Sequence, residues 1–147
     1  MTLTDFLLPS NVLLQKRAAD SRQLLHDLSQ RAAACLGVDE AAIVAALLKR
    51  EDLGSTGMGN GVAIPHARLA MVKKPFGLLV RLDQPVDFKA IDGRPVDLVF
   101  ILLLPAAGEG EQLGALALVA RKLRVSDVLM KMRQGKSALE LHEAVCS

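Results

Sequence analysis

A histidine at the end of a glycine-rich stretch is the residue in this sequence best placed to do chemistry. The stretch reads GSTGMGNGVAIPHAR over residues 54–68, and the histidine is His66. Pro65 fixes its own φ and biases Ile64 toward an extended backbone, so His66 has little backbone freedom. A neutral imidazole is a nucleophile near pH 7 and can form a covalent intermediate. The sequence therefore presents His66 as a candidate nucleophile.

The loop before this histidine has the composition of an anion-binding turn. Successive backbone N–H groups in a glycine-rich turn form a concavity that binds anions. We predict that Ser55, Thr56 and Gly57 bind phosphate, because Ser55 and Thr56 add hydroxyl donors to the backbone N–H groups. Arg50 and Arg68 flank the loop, and guanidinium groups pair well with phosphate oxygens.

Glycine loops that bind nucleotides are a poor match to this stretch. A P-loop ends in Gly-Lys-Ser/Thr, and this loop contains no lysine. Gly57, Gly59 and Gly61 have the spacing G-x-G-x-G, which differs from the dinucleotide fingerprint, and they precede a predicted strand rather than a helix. The pattern disfavours a nucleotide site, and we predict no bound cofactor.

The residues alone leave a structural role for His66 open. No Ser-His-Asp order accompanies it, and three scattered histidines lack the spacing of zinc ligands, so we predict no metal. His26 and His142 are predicted to be surface residues. Cys35 lies in an alanine-rich helical pattern and is predicted to be a small core residue, whereas Cys146 is predicted to be incidental.

Composition indicates a globular protein rather than a nucleic-acid or membrane protein. Hydrophobic residues make up 51% of the 147, which is too many for a disordered chain. The net charge of +2 and the absence of Trp and Tyr argue against nucleic-acid binding. The longest apolar run, 98–104, is far short of the roughly 20 residues that span a bilayer. With no secretory pattern at the N-terminus, we expect a cytoplasmic protein with reduced cysteines.

One segment near the C-terminus is rich in basic residues. It has a single acid, Asp127, against six cations: Arg121, Lys122, Arg124, Lys131, Arg133 and Lys136. A solvated helical face and a docking surface for an acidic partner are both compatible with this pattern.

Hydrophobic spacing predicts one α/β domain spanning residues 1–147, with a mixed β-sheet sandwiched between α-helices. Two helices come first, one over 21–36 that ends at Gly37 and one that begins after Asp39. The middle of the chain reads as strands at 62–64, 76–82, 86–88 and 96–104, the last buried on both faces. Helices at 111–123, 126–134 and 137–145 complete the chain, the last two with Ser126 and Ser137 as predicted N-caps.

A longer segment, ALLKREDLGSTGMGNGVAIPHARL at 46–69, closely resembles the active-site segment of the IIA proteins of the bacterial sugar phosphotransferase system. It is most similar to the nitrogen-regulatory branch, with the fructose and mannitol IIA domains as relatives. The similarity continues through VDLVFILLLPA and LALVARKL and so covers nearly the whole chain. The resemblance implies a compact α/β sandwich.

The resemblance also implies roles for two residues. The histidine of the family's IPH motif accepts a phosphoryl group from a small histidine phosphocarrier, HPr or its nitrogen-branch counterpart, and His66 matches that histidine. The arginine of the family's RE motif lies near the phosphohistidine and matches Arg50. One position departs from the family, because Gly114 aligns with a second histidine that helps position the first; only Gln112 or a backbone N–H could replace that donor.

Three functions follow from the resemblance. The chain is expected to be a regulatory phosphocarrier whose binding to target proteins depends on phosphorylation of His66. A degenerate IIA-like binding regulator without efficient transfer, and a sugar-specific IIA component of the fructose or mannitol type, are the alternatives. No sugar-transport domain is fused in this sequence, which favours regulation over sugar uptake.

Overall fold

The fold places one mixed sheet between two layers of helices. The computed structural model describes residues 1–107 and 109–147, with the side chains of all of these except residues 15 and 109–112. In those residues short 3₁₀ turns occupy Leu3–Asp5 and Pro9–Asn11, and the longer elements are β1 (Val12–Lys16), α1 (Ser21–Leu36), α2 (Glu40–Asp52), β2 (Gly57–Gly59), β3 (Val62–Ala63), β4 (His66–Leu69), β5 (Phe76–Val86), β6 (Val96–Pro105), α3 (Glu109–Lys122), α4 (Ser126–Gln134) and α5 (Ala138–Cys146).

Strand β6 is the centre of the sheet. The order is β1-β5-β6-β3-β2, and β4 pairs with β6 beyond the end of β3. Strands β3 and β4 run parallel to β6, whereas β5 runs antiparallel to it. The predicted mixed sheet is confirmed. The parallel register places His66 opposite Leu102, so the candidate nucleophile lies beside the most buried strand of the protein.

Side chains of β6 alternate between two hydrophobic cores. Val99, Ile101 and Leu103 pack with residues of α1 and α2 on one face. Phe100 and Leu102 point the other way and pack with residues of α3, α4 and α5. A strand buried on both faces needs a continuous apolar run, which is what the sequence pattern predicted. The predicted sandwich of helices around the sheet is therefore confirmed.

Local capping explains where most helices begin and end. Asp20 accepts the Gln23 N–H at the start of α1, and Gly37 ends this helix with φ +67°. Ser137 caps α5 as predicted by accepting the Glu140 N–H. The prediction for Ser126 is wrong by one position: Ser126 is the first residue of α4, and the N-cap is Val125, which has no side-chain cap.

The sequence missed three strands and predicted one too many. β1, β2 and β4 have at most five residues each, too few for a periodic pattern to stand out. The separate strand predicted at 86–88 is absent, because β5 continues through Pro85 and ends at Val86. The register of β5 against β6 shifts between Arg81 and Val86, and such an irregularity accommodates the proline within the strand.

Two predictions about burial are corrected. Cys35 is exposed rather than part of the core, and its Sγ lies 3.4 Å from the Asn11 side-chain oxygen. His142 is buried rather than on the surface, and its Nε2 bonds the Leu7 carbonyl at 2.8 Å. His26 is exposed as predicted.

None of the helices in the described part of the chain combines the length and the apolar character that crossing a bilayer requires.

Candidate functional site

The glycine-rich stretch links the end of α2 to β4 through a tight hairpin. Strands β2 and β3 pair antiparallel around Asn60, and three successive residues of the turn have φ of +95°, +57° and +77°. Glycine flanks Asn60 on both sides because L side chains rarely adopt this conformation. Beyond the hairpin, the Pro65 carbonyl accepts the Leu102 N–H at 2.9 Å and locks the chain onto β6 just before His66.

One hydrogen bond defines which nitrogen of His66 is free. Nδ1 lies 2.7 Å from the Ile64 carbonyl oxygen. A carbonyl oxygen only accepts, so Nδ1 must carry the hydrogen and donate it. In the neutral ring Nε2 is then unprotonated and carries the lone pair. The backbone of the IPH motif thus selects the tautomer in which Nε2 carries the free lone pair.

The surroundings of His66 favour the neutral ring. Burial lowers the pKa of His66 below its ordinary value of 6.5, and the positive charge of Arg50 lowers the pKa further. The hydrogen bond to Ile64 and the negative charge of Glu51 raise the pKa and only partly offset this. A ring that is neutral at pH 7 keeps its Nε2 lone pair available for attack.

His66 lines a cleft of about 570 Å³ that also contains three cations, Lys49, Arg50 and Arg68. Arg50 is partly committed, because its Nη1 donates to the Gly54 carbonyl at 2.8 Å, which fixes the guanidinium near the loop. Among the described residues, Lys49 and Arg68 take part in no salt bridge. The cleft therefore offers unpaired positive charge beside a nucleophile.

Apolar side chains form the rest of the cleft. Leu53 and Leu113 stand at its rim with 79% and 60% of their surface exposed. Ala46, Leu104 and Leu116 lie deeper. Large exposed leucines around a polar centre are typical of a surface that another molecule covers.

The donors predicted to bind phosphate are used within the loop itself. The Ser55 hydroxyl donates to the Phe88 carbonyl and accepts the Gly57 N–H at 2.9 Å. The Thr56 hydroxyl and N–H both donate to the carboxylate of Glu51. The two hydroxyls and the N–H groups of Thr56 and Gly57 are thus already hydrogen-bonded within the protein, and none of the three residues lines the cleft.

Sequence reasoning gave no role to Lys49 or Glu51. Lys49 precedes Arg50 on the last turn of α2, where the helix macrodipole favours cations. Its position next to the loop could therefore have predicted that Lys49 lies near the site. Glu51 stood in the quoted segment, but its partner Thr56 is five residues away across a helix end. No local periodicity predicts that contact.

Gly114 is not among the residues that line the cleft. A Cβ built on Gly114 would point toward the methyl group of Met1 at 3.6 Å, whereas the neighbouring Leu113 lines the cleft with His66. The side chain of Gln112, the suggested replacement, lies outside the described residues.

Part of the basic C-terminal segment has a structural role. Arg133 forms a salt bridge to Asp97 at 2.9 Å and donates to the Asn60 carbonyl at 2.5 Å. This arginine therefore ties α4 to β6 and to the hairpin before the site. The other five cations of that segment form no salt bridge among the described residues.

The fold and the histidine in its cationic cleft were compared with those of known proteins, and the comparison identifies the family. Residues 5–146 match the family described as phosphoenolpyruvate-dependent sugar phosphotransferase system, EIIA 2. The chain belongs to this family.

Within the family, several similar proteins are nitrogen regulatory proteins. The chain is 42% identical to a nitrogen regulatory protein of Bradyrhizobium diazoefficiens, over 99% of this chain and 95% of that protein. It is 39% identical to one from Pseudomonas aeruginosa, over 97% and 94%. The crystal structure of the nitrogen regulatory protein IIA-Ntr from Neisseria meningitidis superimposes with a TM-score of 0.92 at 34% identity, covering 97% of this chain and 98% of that one. The IIA mannitol protein of Escherichia coli shares the fold, with a TM-score of 0.79 at 21% identity over 95% and 98%.

Proposed function

We propose that this protein is a regulatory phosphocarrier that accepts a phosphoryl group on Nε2 of His66. The observation that carries the proposal is the hydrogen bond from Nδ1 to the Ile64 carbonyl, which leaves Nε2 as the only ring nitrogen with a lone pair. The cations of the cleft and the lowered pKa of His66 support the same assignment.

The proposed step moves one phosphoryl group from a histidine of the donor to His66. The Nε2 lone pair attacks the phosphorus of a phosphohistidine on the donor, and the new N–P bond forms as the N–P bond of the donor breaks. The donor imidazole nitrogen keeps the electron pair of the broken bond. Such transfers depend mainly on positioning and on stabilising the charge of the phosphoryl oxygens.

Arg50 and its neighbours would supply that stabilisation. The guanidinium of Arg50 is held by the Gly54 carbonyl and still has further N–H groups to donate. Lys49 and Arg68 add positive charge from the same cleft. We assign Arg50 to the transition-state charge, whereas Ser55, Thr56 and Gly57 keep the loop in place.

The proposed donor is an HPr-like histidine phosphocarrier protein. The apolar rim of Leu53 and Leu113 gives such a protein a surface to cover while its phosphohistidine enters the cleft. Phosphorylation adds about two negative charges by analogy with other phosphorylated side chains. That change would alter the binding of regulated target proteins at the same surface. Residues 1–147 would act as one phosphocarrier domain in the cytoplasm.

Mass spectrometry after enzymatic phosphorylation tests the proposal. The protein is incubated with phosphoenolpyruvate, the general phosphotransferase enzyme and an HPr-like carrier, and its intact mass is read. One acid-labile phosphoryl group is expected on the wild type and on His26→Gln, the exposed-histidine control, and none on His66→Ala. The proposal would be overturned if folded His66→Ala were labelled normally, or if the HPr-like carrier did not label the wild type.

A further inference from the structure

A continuous chain of hydrogen bonds joins the carboxylate of Glu51 to the imidazole of His66. Glu51 accepts from the hydroxyl of Thr56 and from its N–H at 3.2 Å. The Thr56 carbonyl in turn accepts the Ile64 N–H at 3.1 Å. The Ile64 carbonyl accepts Nδ1–H of His66 at 2.7 Å. The end of α2 is thereby connected to the group that selects the tautomer of the candidate nucleophile.

The carboxylate of Glu51 is committed to Thr56 rather than to a cation. Both of its oxygens accept from Thr56, and among the described side chains Glu51 forms no salt bridge. Thr56 is buried with 6% of its surface exposed, so water does not compete freely for these bonds. Hydrogen bonds to an ionised acceptor are stronger than neutral ones. A neutral glutamine could accept only one of the two donors in this geometry.

The chain of bonds matters most at Ile64. Its carbonyl belongs to the peptide bond with Pro65, which has no N–H, so that peptide group cannot be anchored by a donor of its own. The nearest anchors are the Ile64 N–H, which donates to Thr56, and the Pro65 carbonyl, which accepts from Leu102. If Thr56 moved, the orientation of the Ile64 carbonyl would depend on the Pro65 side alone.

We propose that Glu51 and Thr56 are positioning residues for His66: the pair fixes the loop so that the Ile64 carbonyl holds Nδ1–H and Nε2 stays free. The effect on phosphoryl transfer rests on the function proposed above. The effect on the tautomer does not, because it concerns the unphosphorylated protein. Neither residue touches the reacting atoms in this account.

Two substitutions remove the interaction from opposite sides. Thr56→Val keeps the shape of the side chain but loses the hydroxyl, and Glu51→Gln keeps the length but loses the charge. Thr56→Ser retains the hydroxyl and serves as the rescue variant. Asp52→Asn is the matched control, because Asp52 is the adjacent carboxylate on α2 and is exposed. Among the described residues its one salt bridge is to Arg22, at 3.4 Å.

Nitrogen NMR of ¹⁵N-histidine-labelled protein reads the tautomer of His66 directly. Wild type, Thr56→Ser and Asp52→Asn are expected to show protonated Nδ1 and bare Nε2 at pH 8. Thr56→Val and Glu51→Gln are expected to show a mixture of the two tautomers. Circular dichroism and the spectrum of His142, a buried histidine on α5, establish that each variant is folded.

Phosphorylation rates measured with the HPr-like carrier give the second reading. Thr56→Val and Glu51→Gln should each be slower by 10-fold or more, toward the ~10²-fold loss that follows from misplacing a reacting group by about 1 Å. The double variant should be no slower than the slower single variant, because both remove the same interaction. Thr56→Ser should retain a rate within about 3-fold of wild type.

The outcomes separate this inference from the proposed function. Folded Thr56→Val and Glu51→Gln that keep both the wild-type tautomer and the wild-type rate would overturn the positioning role. If the wild type accepts no phosphoryl group but the two variants still lose the single tautomer, the positioning role stands and the proposed function fails. If one of the two variants does not fold, the tautomer and the rate of the other variant decide whether the positioning role holds, with Thr56→Ser as the folded reference. If neither of them folds, Glu51 and Thr56 maintain the fold rather than position His66, and the inference is wrong.

Discussion

At His66, burial and the charges of neighbouring residues together determine the pKa of the imidazole. Desolvation and Arg50 both favour the neutral ring, while Glu51 and the Ile64 carbonyl favour the charged one, and the balance lowers the pKa. The tautomer is set separately, by the backbone acceptor on Nδ1. The residue is thus prepared for attack before any partner binds.

The lowered pKa of His66 predicts that phosphorylation slows only at a lower pH than it would with an ordinary histidine. NMR titration of the His66 ring should give a midpoint below the ordinary value of 6.5, because burial penalises the charged form. The initial rate of phosphorylation, with the donor in excess, should fall as the pH drops through this midpoint, because Nε2 becomes protonated. A midpoint at or above 6.5 would show that the hydrogen bond to Ile64 and the negative charge of Glu51 outweigh burial and Arg50.

Replacing Arg50 should slow transfer without unfolding the protein. Arg50→Ala removes a cation from the cleft and should cost on the order of 10² in phosphorylation rate, the loss typical of one electrostatic donor. The same substitution should raise the midpoint of the His66 titration, because Arg50 lowers that pKa. Arg22→Ala, an exposed arginine paired with Asp52, is the control and should leave both quantities unchanged. An unchanged rate for Arg50→Ala would assign the residue to the helix surface.

At the scale of elements, the hairpin between β2 and β3 is held by a residue far away in sequence. Arg133 on α4 reaches both the Asn60 carbonyl and Asp97, the residue whose N–H donates to the Gly61 carbonyl. The close approach needs a glycine at 61, since a Cβ there would lie 2.6 Å from Arg133 Nη2 and 2.9 Å from Asp97 Oδ1. The conformation of the turn and the position of the Arg133–Asp97 salt bridge therefore depend on each other.

Gly61→Ala should destabilise the protein more than Gly93→Ala does. Both glycines have positive φ, +77° and +71°, so both substitutions introduce backbone strain of about 1–2 kcal/mol. At Gly93 nothing lies within 4 Å of the new Cβ, whereas at Gly61 the salt bridge must also move, which adds about 1–3 kcal/mol. Urea denaturation measures both free energies of unfolding. Equal losses for the two variants would mean that the salt bridge shifts freely and constrains nothing.

How well an element could be predicted depends on where its contacts lie in the sequence. The helix at 21–36 and the central strand follow from periodicity and capping residues that are local, and both are confirmed. β4 is four residues long and exists because it pairs with β6, more than thirty residues further on. The hydroxyls of Ser55 and Thr56 were assigned to phosphate because their acceptors, Phe88 and Glu51, are not visible as neighbours in the sequence.

At the scale of the whole molecule, the ends of the chain are joined through a buried histidine. His142 on α5 bonds the carbonyl of Leu7, a residue with no exposed surface that packs in the same core as α3, α4 and α5. Because a carbonyl only accepts, Nε2 of His142 carries its hydrogen. The sequence prediction of a surface histidine was wrong since the acceptor lies 135 residues away.

His142→Ala should cost stability, whereas His26→Ala should not. Removing the buried donor leaves the Leu7 carbonyl unsatisfied, a loss of about 1–3 kcal/mol in the free energy of unfolding. His26 is exposed, and its replacement should stay within about 0.5 kcal/mol of wild type. Chemical denaturation of the two variants at pH 8 makes the comparison. If both remain at wild-type stability, the other contacts of the N-terminal segment, including the Gly77 N–H bond to the Phe6 carbonyl, are sufficient to hold it.

The central claim is that the backbone of the IPH motif makes Nε2 of His66 the phosphoryl acceptor. NMR of the phosphorylated, ¹⁵N-histidine-labelled protein tests this most directly, because phosphorus–nitrogen coupling and the nitrogen shifts identify the modified atom. The account predicts a single phosphoryl group on Nε2 of His66, with Nδ1 still protonated and bonded to the Ile64 carbonyl. A phosphoryl group on Nδ1, or on His26 or His142, would contradict it.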